Sequence, residues 1–412
     1  MLIDTIRLFL EWMLHEKHKT SFLYVLFSKL AAFACADQKT DLLVAVLMIK
    51  NEAPVICQTF LPLIEAGIRS FFIFDTDSTD DTITVVKNFF ENHRDCAYGL
   101  ESEPFIDFAT SRNRALDLAE DYFKQGTFML MLDAEWHLVN GNRLLDFCAV
   151  QAEKSDPVYL IRILSSIDFY TSRLIRMRTG ARFAGVVHEC IAASAKVPAD
   201  IYFELKTTHY GKEKSKARWI RDKKLLKKEW KKNPQDSRST FYLAQTCECL
   251  DQPQEALEWY LKRLELAGWD EENFITRYRI AQLYEKLSVS QNNPTLWHHA
   301  EHFYLDSYAY RPVRAEPLVR LATAYRLQEK FQLSYLFALR AASMPYPTND
   351  TLFVEKELYD YDRYDILGIV AWYCKEYAIG MWAVQKALAL YPDRPHLLFN
   401  LSLYEKEYYD LS

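Results

Sequence analysis

The stretch FMLMLDAEW, residues Phe128 to Trp136, runs through apolar residues into two carboxylates, Asp133 and Glu135, one residue apart. A short apolar run bounded in this way suits a strand in a sheet core, which puts the acidic pair at the strand's carboxyl end. Carboxylate oxygens held there can grip Mg2+ or Mn2+, hard cations that keep coordination positions open for substrate phosphates. The plainer alternative is structural: Asp133 as a helix N-cap with Glu135 in the first turn.

Positioning such a pair takes a sheet, and residues 41–211 read as one. LLVAVLMI (42–49), SFFIFD (70–75), AYGLE and TFMLMLD are strand-like, and helical patterns separate them: APVICQTFLPLIEAG, DDTITVVKNFFENH and TSRNRALDLAEDYFKQG. Strand and helix in alternation predict a parallel sheet covered by helices on both faces. Ligands of such sheets gather at the carboxyl ends of the strands, where both Asp75 and Asp133 fall. Asp168, in SSIDFY, is placed in a hairpin.

After residue 236 the pattern changes. Strand-like runs stop, and a helical frame recurs four times. Ala244 stands twelve residues before Ala256, with Tyr260 four later; Ala281, Ala300, Tyr304 and Pro312 repeat the frame, and its last copy closes at Pro392. Small residues at helix contacts, flanking aromatics and a closing proline resemble the tetratricopeptide repeat, with HLLFNLSLYEKEYYD as the cap that covers the open end. An irregular helical domain is the other reading. Between the halves, residues 212–232 carry eleven Lys and Arg with apolar residues at helical spacing. That is a basic amphipathic helix, either a solvated face or a phosphate contact.

A chain of 412 residues, half of them apolar, exceeds one core and predicts at least two domains. Its 50 basic and 56 acidic residues give a net charge of −6, which offers no footprint for nucleic acid. The eight cysteines form no CxxC pair and read as reduced core thiols. SFLYVLFSKLAAFACADQ has the outline of a secretory signal, but charged residues precede it and Lys29 interrupts it. It is also too short to span a bilayer. Residues 1–40 are therefore expected to be a helical extension of a cytoplasmic protein, followed by a domain over 41–211, a linker helix over 212–236 and repeats over 237–412.

Taken together and in order, MIKNEAPVICQTFLPLIEAGIRSFFIFDTDSTDDT, DFATSRNRAL, FMLMLDAEW and FAGVVHECI resemble the family-2 glycosyltransferases. The stretch HYG…FYLAQTCECL…ALEWYLKRLELAGWDEENF is similar to a subgroup with tetratricopeptide repeats after the transferase. The resemblance implies an α/β GT-A (Rossmann-like) nucleotide-sugar-binding domain followed by an all-α tetratricopeptide-like solenoid. It places Asn51 and Glu52 beside the nucleotide and gives Asp75 the base or ribose, with Asp77 assisting. Arg112, Asn113 and the helix they stand on are set toward the diphosphate, and Thr79, Asp80 and Asp81 cap the helix after the second strand. Arg112 and Arg114 could equally form surface pairs with Asp107 or Asp117.

The family's D-x-D tip is here Asp133-Ala134-Glu135, a longer and differently reaching second ligand. His188 is expected to complete the metal shell with Asp133 and Glu135, and Glu189 to act as general base, with Asp168 competing for that role. The alternative for His188 and Glu189 is a buried hydrogen-bonded pair. His209 approaches the same pocket. The implied activity is inverting transfer of a sugar from a nucleoside diphosphate donor, a UDP-sugar first, to a protein, peptide or glycan acceptor. Mn2+ or Mg2+ assists, and the repeats hold the acceptor or a protein partner. The competing reading is a pseudoenzyme, a repeat scaffold that binds partners without turnover.

Overall fold

A computed structural model describes residues 42–193, 195–205 and 212–410, with side chains left undescribed at 212–214 and 408–410. The expected N-terminal extension over residues 1–40 and His209 lie outside the described residues. No helix among the described residues is long and apolar enough to cross a membrane.

The first part alternates strand and helix. It runs β1 (Leu43–Ile49), α1 (Ile56–Glu65), β2 (Ser70–Asp75), α2 (Thr82–Asn92), β3 (Ala97–Ser102), α3 (Phe108–Tyr122), β4 (Phe128–Leu132), β5 (Trp136–Val139) and α4 (Gly141–Gln151). A hairpin, β6 (Val158–Leu164) and β7 (Ile167–Arg176), follows, then β8 (Ala195–Lys196) and β9 (Tyr202–Leu205). The strands share one sheet ordered β3-β2-β1-β4-β7-β6-β9-β5.

The strands β3, β2, β1 and β4 are parallel to one another. The apolar runs of β1, β2 and β4 are continuous because both faces are buried, whereas β3 at the edge is partly exposed. Leu43, Ala45 and Leu47 pack with Phe60 and Phe90 of α1 and α2, whereas Val44 and Val46 meet Ala115, Leu116 and Ala119 of α3. The expected all-parallel sheet is corrected beyond β4. There β7 runs antiparallel to β4 and to β6, so the sheet is mixed. Alternating elements could not signal this, since β6 and β7 are joined by a tight turn with no crossover helix between them.

The rest is helical: α5 (Lys212–Lys232), α6 (Ser237–Cys249), α7 (Pro253–Leu264), α8 (Asp270–Ser290), α9 (Pro294–Tyr310), α10 (Glu316–Leu327), α11 (Phe331–Ala342), α12 (Arg363–Tyr373), α13 (Tyr377–Leu390) and α14 (Pro395–Asp410). The repeated alanines 244, 256, 281 and 300 are fully buried at the helix contacts. Tyr260 and Tyr304 fill the same position in successive pairs, and each hydroxyl donates to a glutamate, Glu248 or Glu285, at 2.5 Å. The last helix caps the array through buried Leu397 and Tyr404, whose hydroxyl donates to the Gly368 carbonyl at 2.7 Å.

The helical half is not free of strand. Val354 and Glu355 form β10, which pairs antiparallel with Asp168 and Ile167 of β7, and the Tyr170 N–H donates to the Thr351 carbonyl at 2.8 Å. The segment between α11 and α12 thereby stitches the repeats to the sheet. Glu271 at the start of α8 holds it from the other side, accepting the N–H groups of Thr351 and Leu352 at 2.7 Å each.

Candidate functional site

At the carboxyl end of β4 the two halves enclose a cleft of about 820 Å³. Its sheet-side wall includes Arg112, Asp133, Arg173, His188 and Glu189, and its helical wall includes Arg218, Asp222, Tyr242 and Trp269.

Asp133 reaches the cleft because β4 ends at Leu132 and the chain turns at once, with the Ala134 carbonyl taken by the Thr59 hydroxyl of α1. Arg112 arrives from α3. It lies on the helix's buried stripe with Ala109, Ala115, Leu116 and Ala119, so its side chain must point inward, and it is only 4% exposed. Arg173 comes from β7. The antiparallel register pairs Leu130 with Leu174, so the next residue, Arg173, comes alongside the end of β4; it is 6% exposed.

Glu189 sits on a loop closed by reciprocal bonds between Ala184 and Cys190 at 3.0 and 3.1 Å. Gly185 turns that loop at φ 108°, a conformation glycine adopts without the Cβ clash of other residues. Val187 anchors the loop by packing into the helical core, and Arg238 donates to the His188 carbonyl at 3.0 Å.

The four charged groups interlock. Arg112 Nη2 donates to Asp133 Oδ1 at 2.8 Å, and Arg112 Nε lies 2.5 Å from Glu189 Oε1 in a charge contact outside hydrogen-bond alignment. Arg173 Nη2 stands farther off, 3.7 Å from Asp133 and 3.8 Å from Glu189. Its guanidinium lies over the faces of Trp136 and Phe183, 4.7 and 5.5 Å from the ring centroids. Burial would raise the Asp133 pKa, but Arg112 and Arg173 outweigh it and hold the carboxyl below its ordinary value. Burial likewise works against the Arg112 cation, and Asp133 and Glu189 outweigh it.

His188 has a left-handed backbone, φ 53°, and its ring stacks on Tyr242 with centroids 4.0 Å apart. Although the residue keeps surface toward the cleft, enclosure by surrounding protein, with Arg238 and Arg218 nearby, pushes its pKa down to about 3. The imidazole is neutral at physiological pH.

The expected metal shell is not assembled. Both Asp133 oxygens face guanidinium groups, His188 is stacked on Tyr242, and Glu135 is outside the cleft lining. Among the described residues no cluster of three or more His, Cys, Asp and Glu is arranged to hold a metal ion. The donor set here does not fit a divalent cation.

The other expected residues are spread around the neighbouring strand ends. Asn51, with φ 57°, accepts from the Thr79 N–H at 2.7 Å and so closes the loop after β2 onto β1. Glu52 is buried, with its N–H donating to the Thr82 hydroxyl at 2.8 Å. Asp75 is fully buried; its Oδ2 accepts from Ser78 N at 3.1 Å and the Ser102 hydroxyl at 2.8 Å, while Oδ1 has no hydrogen-bond partner among the described residues. Asp77 is exposed with φ 61°. Of the three residues expected to cap this helix, Asp80 accepts from Thr82 N at 3.0 Å, whereas Asp81 at the N-cap position makes no side-chain cap bond.

Asn113 grips the Phe183 backbone in both directions, at 2.9 and 2.7 Å. The helix that carries it starts earlier than the SRNRA motif, at Phe108, and Asp107 caps it by accepting from Thr110 N at 2.8 Å. Arg114 pairs with Glu103 at 2.8 Å, and Asp117 pairs with Arg182 at 2.5 Å. Asp168 lies away from the cleft. It takes Arg162 Nε at 2.8 Å and the Tyr346 hydroxyl of the helical half, so it joins the two halves.

Two cleft residues escaped sequence reading. Arg173 has no local signal beyond an arginine inside an otherwise strand-like run. Asp222 is the one acidic residue in the inner turns of the basic helix α5, and it is 5% exposed with Oδ1 lacking a hydrogen-bond partner among the described residues. Burial raises its pKa against the pull of Arg221 and Arg218.

No family model matches the chain, and no curated protein matches it. Among solved structures, a mannosyltransferase from Pyrobaculum calidifontis, solved with GDP-mannose and Mn2+, is 17% identical over 68% of this chain and 95% of its own, with a TM-score of 0.37. A thermophilic tetratricopeptide-repeat protein from Thermus thermophilus is 15% identical over 46% of this chain and 92% of its own, with a TM-score of 0.32. The Cut9–Hcn1 hetero-tetramer of the APC/C gives 15% identity over 46% of this chain but only 34% of that chain, with a TM-score of 0.33. Likenesses this loose carry no weight for activity or mechanism.

Proposed function

We propose that the chain is an inverting glycosyltransferase that moves a sugar from a nucleoside diphosphate donor, a UDP-sugar first, to an acceptor bound against the helical repeats. One observation carries this reading: Asp133, Glu189, Arg112 and Arg173 meet in a single cleft at the carboxyl end of β4, walled on its far side by helices. The strand order β3-β2-β1-β4 with helices on both faces supports a GT-A-type nucleotide-sugar domain.

In the reaction, the bond between the anomeric carbon and the diphosphate oxygen breaks, and its electron pair stays on the diphosphate. The acceptor nucleophile forms the new bond from the opposite face and gives up its proton to a carboxylate. Glu189 is the proposed base, with Asp222 a further carboxylate on the helical wall of the cleft. Tyr242, Trp219 and Trp269 give the helical wall an aromatic surface for a peptide, protein or glycan acceptor. The Mn2+ or Mg2+ anticipated from the acidic tip has no fitting ligand set, and no step is assigned to it.

A thermal-shift panel of UDP, GDP, ADP and CDP tests the reading. One of them, at about 100 times its dissociation constant, should stabilise the protein by roughly 2.7 kcal/mol. Turnover of the matching nucleotide sugar should fall about 100-fold or more in Glu189→Gln while nucleotide binding persists. A folded protein that neither binds nor hydrolyses any nucleotide sugar would leave the repeat scaffold as the function.

A further inference from the structure

We infer that Arg112 and Arg173 form a two-guanidinium clamp for the donor's diphosphate, supplying from the chain itself the positive charge that a divalent cation would otherwise bring. This rests on the transferase reading above and goes beyond it.

The first support is unsatisfied bonding. Arg173 is buried, yet its Nε and Nη1 find no hydrogen-bond partner among the described residues, and neither does Arg112 Nη1. Contacts of 3.7 and 3.8 Å from Arg173 to the carboxylates are too long to be hydrogen bonds. A buried donor left in this state costs about 1–3 kcal/mol. Both side chains line the cleft, so the two guanidinium groups stand beside a ligand volume.

The second support is orientation. Asp133 and Glu189 fix Arg112, while Arg173 lies over the faces of Trp136 and Phe183. A pre-oriented fork matches phosphate oxygens two at a time, which a flexible lysine cannot do. Asp133 then acts as a positioning residue for Arg112.

Charge is the third. Lys196, Arg218 and Arg238 also line the cleft, so that with Arg112 and Arg173 five cations stand against the four carboxylates Asp133, Glu189, Asp222 and Glu271. Burial and the neighbouring Arg112 pull the Arg173 pKa down to about 10, a sign of a cation short of counter-charge. A diphosphate would supply it. As the sugar–phosphate bond breaks, negative charge grows on the oxygens these N–H groups reach, and fixed donors stabilise it without reorganisation.

The test is isothermal titration of the full chain with UDP and UMP, in excess EDTA and again in Mn2+, for the wild type, Arg173→Met and Arg173→Lys. Circular dichroism and melting curves establish that each variant is folded. The clamp predicts that UDP binds equally well in EDTA and that UDP outbinds UMP. In Arg173→Met, UDP affinity should fall about tenfold or more and the UDP-to-UMP preference should collapse, with Arg173→Lys restoring only part of it. UDP binding that requires Mn2+ and ignores Arg173→Met overturns the clamp while leaving a transferase standing. If UDP fails to bind but another nucleoside diphosphate binds in the thermal-shift panel, that nucleotide and its monophosphate replace UDP and UMP under the same criteria. Failure of every nucleoside diphosphate to bind, with or without metal, removes both.

Discussion

Two of the protein's buried arginine–carboxylate networks are finished differently. In the helical half, Arg314 is 0% exposed and every nitrogen is bonded. Nε and Nη2 take Glu316 at 2.9 and 2.7 Å, Nη1 takes Asp350 and the Leu352 carbonyl at 3.2 Å each, and Nη2 also donates to the Phe353 carbonyl at 2.9 Å. Tyr359 donates to Glu316 at 2.7 Å, and Arg311 closes on Asp350 at 2.6 Å. In the cleft, Arg112 and Arg173 are almost as deeply buried but keep unbonded N–H groups. A complete network fastens the segment that carries β10 to the start of α10. An incomplete one beside a cavity is shaped for something that is not part of the chain. Burial of charge does not distinguish fastening from binding, and neither does one unbonded N–H, since Arg263 in the helical half pairs with Glu272 and also leaves its Nε unbonded; unbonded donors on side chains that line a cavity do.

The sharpest way to break this contrast is to remove each arginine while keeping its aliphatic stem. Arg314→Met leaves Glu316 and Asp350 buried without their cation and should cost about 3–5 kcal/mol. Arg173→Met removes contacts of 3.7 and 3.8 Å and the stacking over Trp136 and Phe183, offset by relief of its unbonded N–H groups and of the repulsion from Arg112, and should cost less, about 1 kcal/mol. Urea denaturation followed by tryptophan fluorescence compares the two directly. Equal losses would erase the distinction and turn the cleft pair into a second fastener.

The same contrast explains what was legible in the sequence. Strands at 42–49, 70–75 and 128–132 announced themselves because two-sided burial demands unbroken apolar runs, and the repeats did so because small residues recur where helices touch. Asp133 was found because an apolar run stopped on it. Arg112 was placed in the site, but its partners were not foreseen, since they come from β4 and from the loop after β7. Its position on the Ala109–Ala115–Leu116–Ala119 stripe was the available clue that it points inward. Arg173 depends on strand register across the sheet, and β10 is two residues long with no period to detect. Asp222 was hidden in a run of lysines. The metal expectation was read from spacing alone, and that spacing is the same whether a cation or, as at Asp133, arginines lie opposite the acidic tip.

A smaller effect is expected at the junction of the halves. Asp168 was a candidate base, yet Arg162 and Tyr346 occupy it. Asp168→Asn should therefore destabilise by about 1–3 kcal/mol through weakened pairing, and UDP affinity should not change. A stable Asp168→Asn protein with abolished turnover would return Asp168 to the chemistry.

The smallest effect is one of sign, and it separates two buried aspartates by pH. At Asp350, burial would raise the pKa, but Arg311 and Arg314 outweigh it and the value is lowered. Asp350 thus contributes stability that is present above the unfolded-state value, about 4, and is lost as pH falls through the lower folded value. At Asp222 burial prevails over Arg221 and Arg218, so the folded pKa is raised. Its ionised form costs stability at neutral pH, and the cost disappears as pH falls through the raised folded value toward the unfolded one. Melting curves at pH 7 should accordingly show Asp350→Asn below wild type and Asp222→Asn above it, and both gaps should narrow as the pH is taken to about 4 and lower. An Asp222→Asn protein that melts below wild type at pH 7 would mean that the carboxylate is held by partners as complete as those of Asp350, and the cleft wall would then belong with the fasteners.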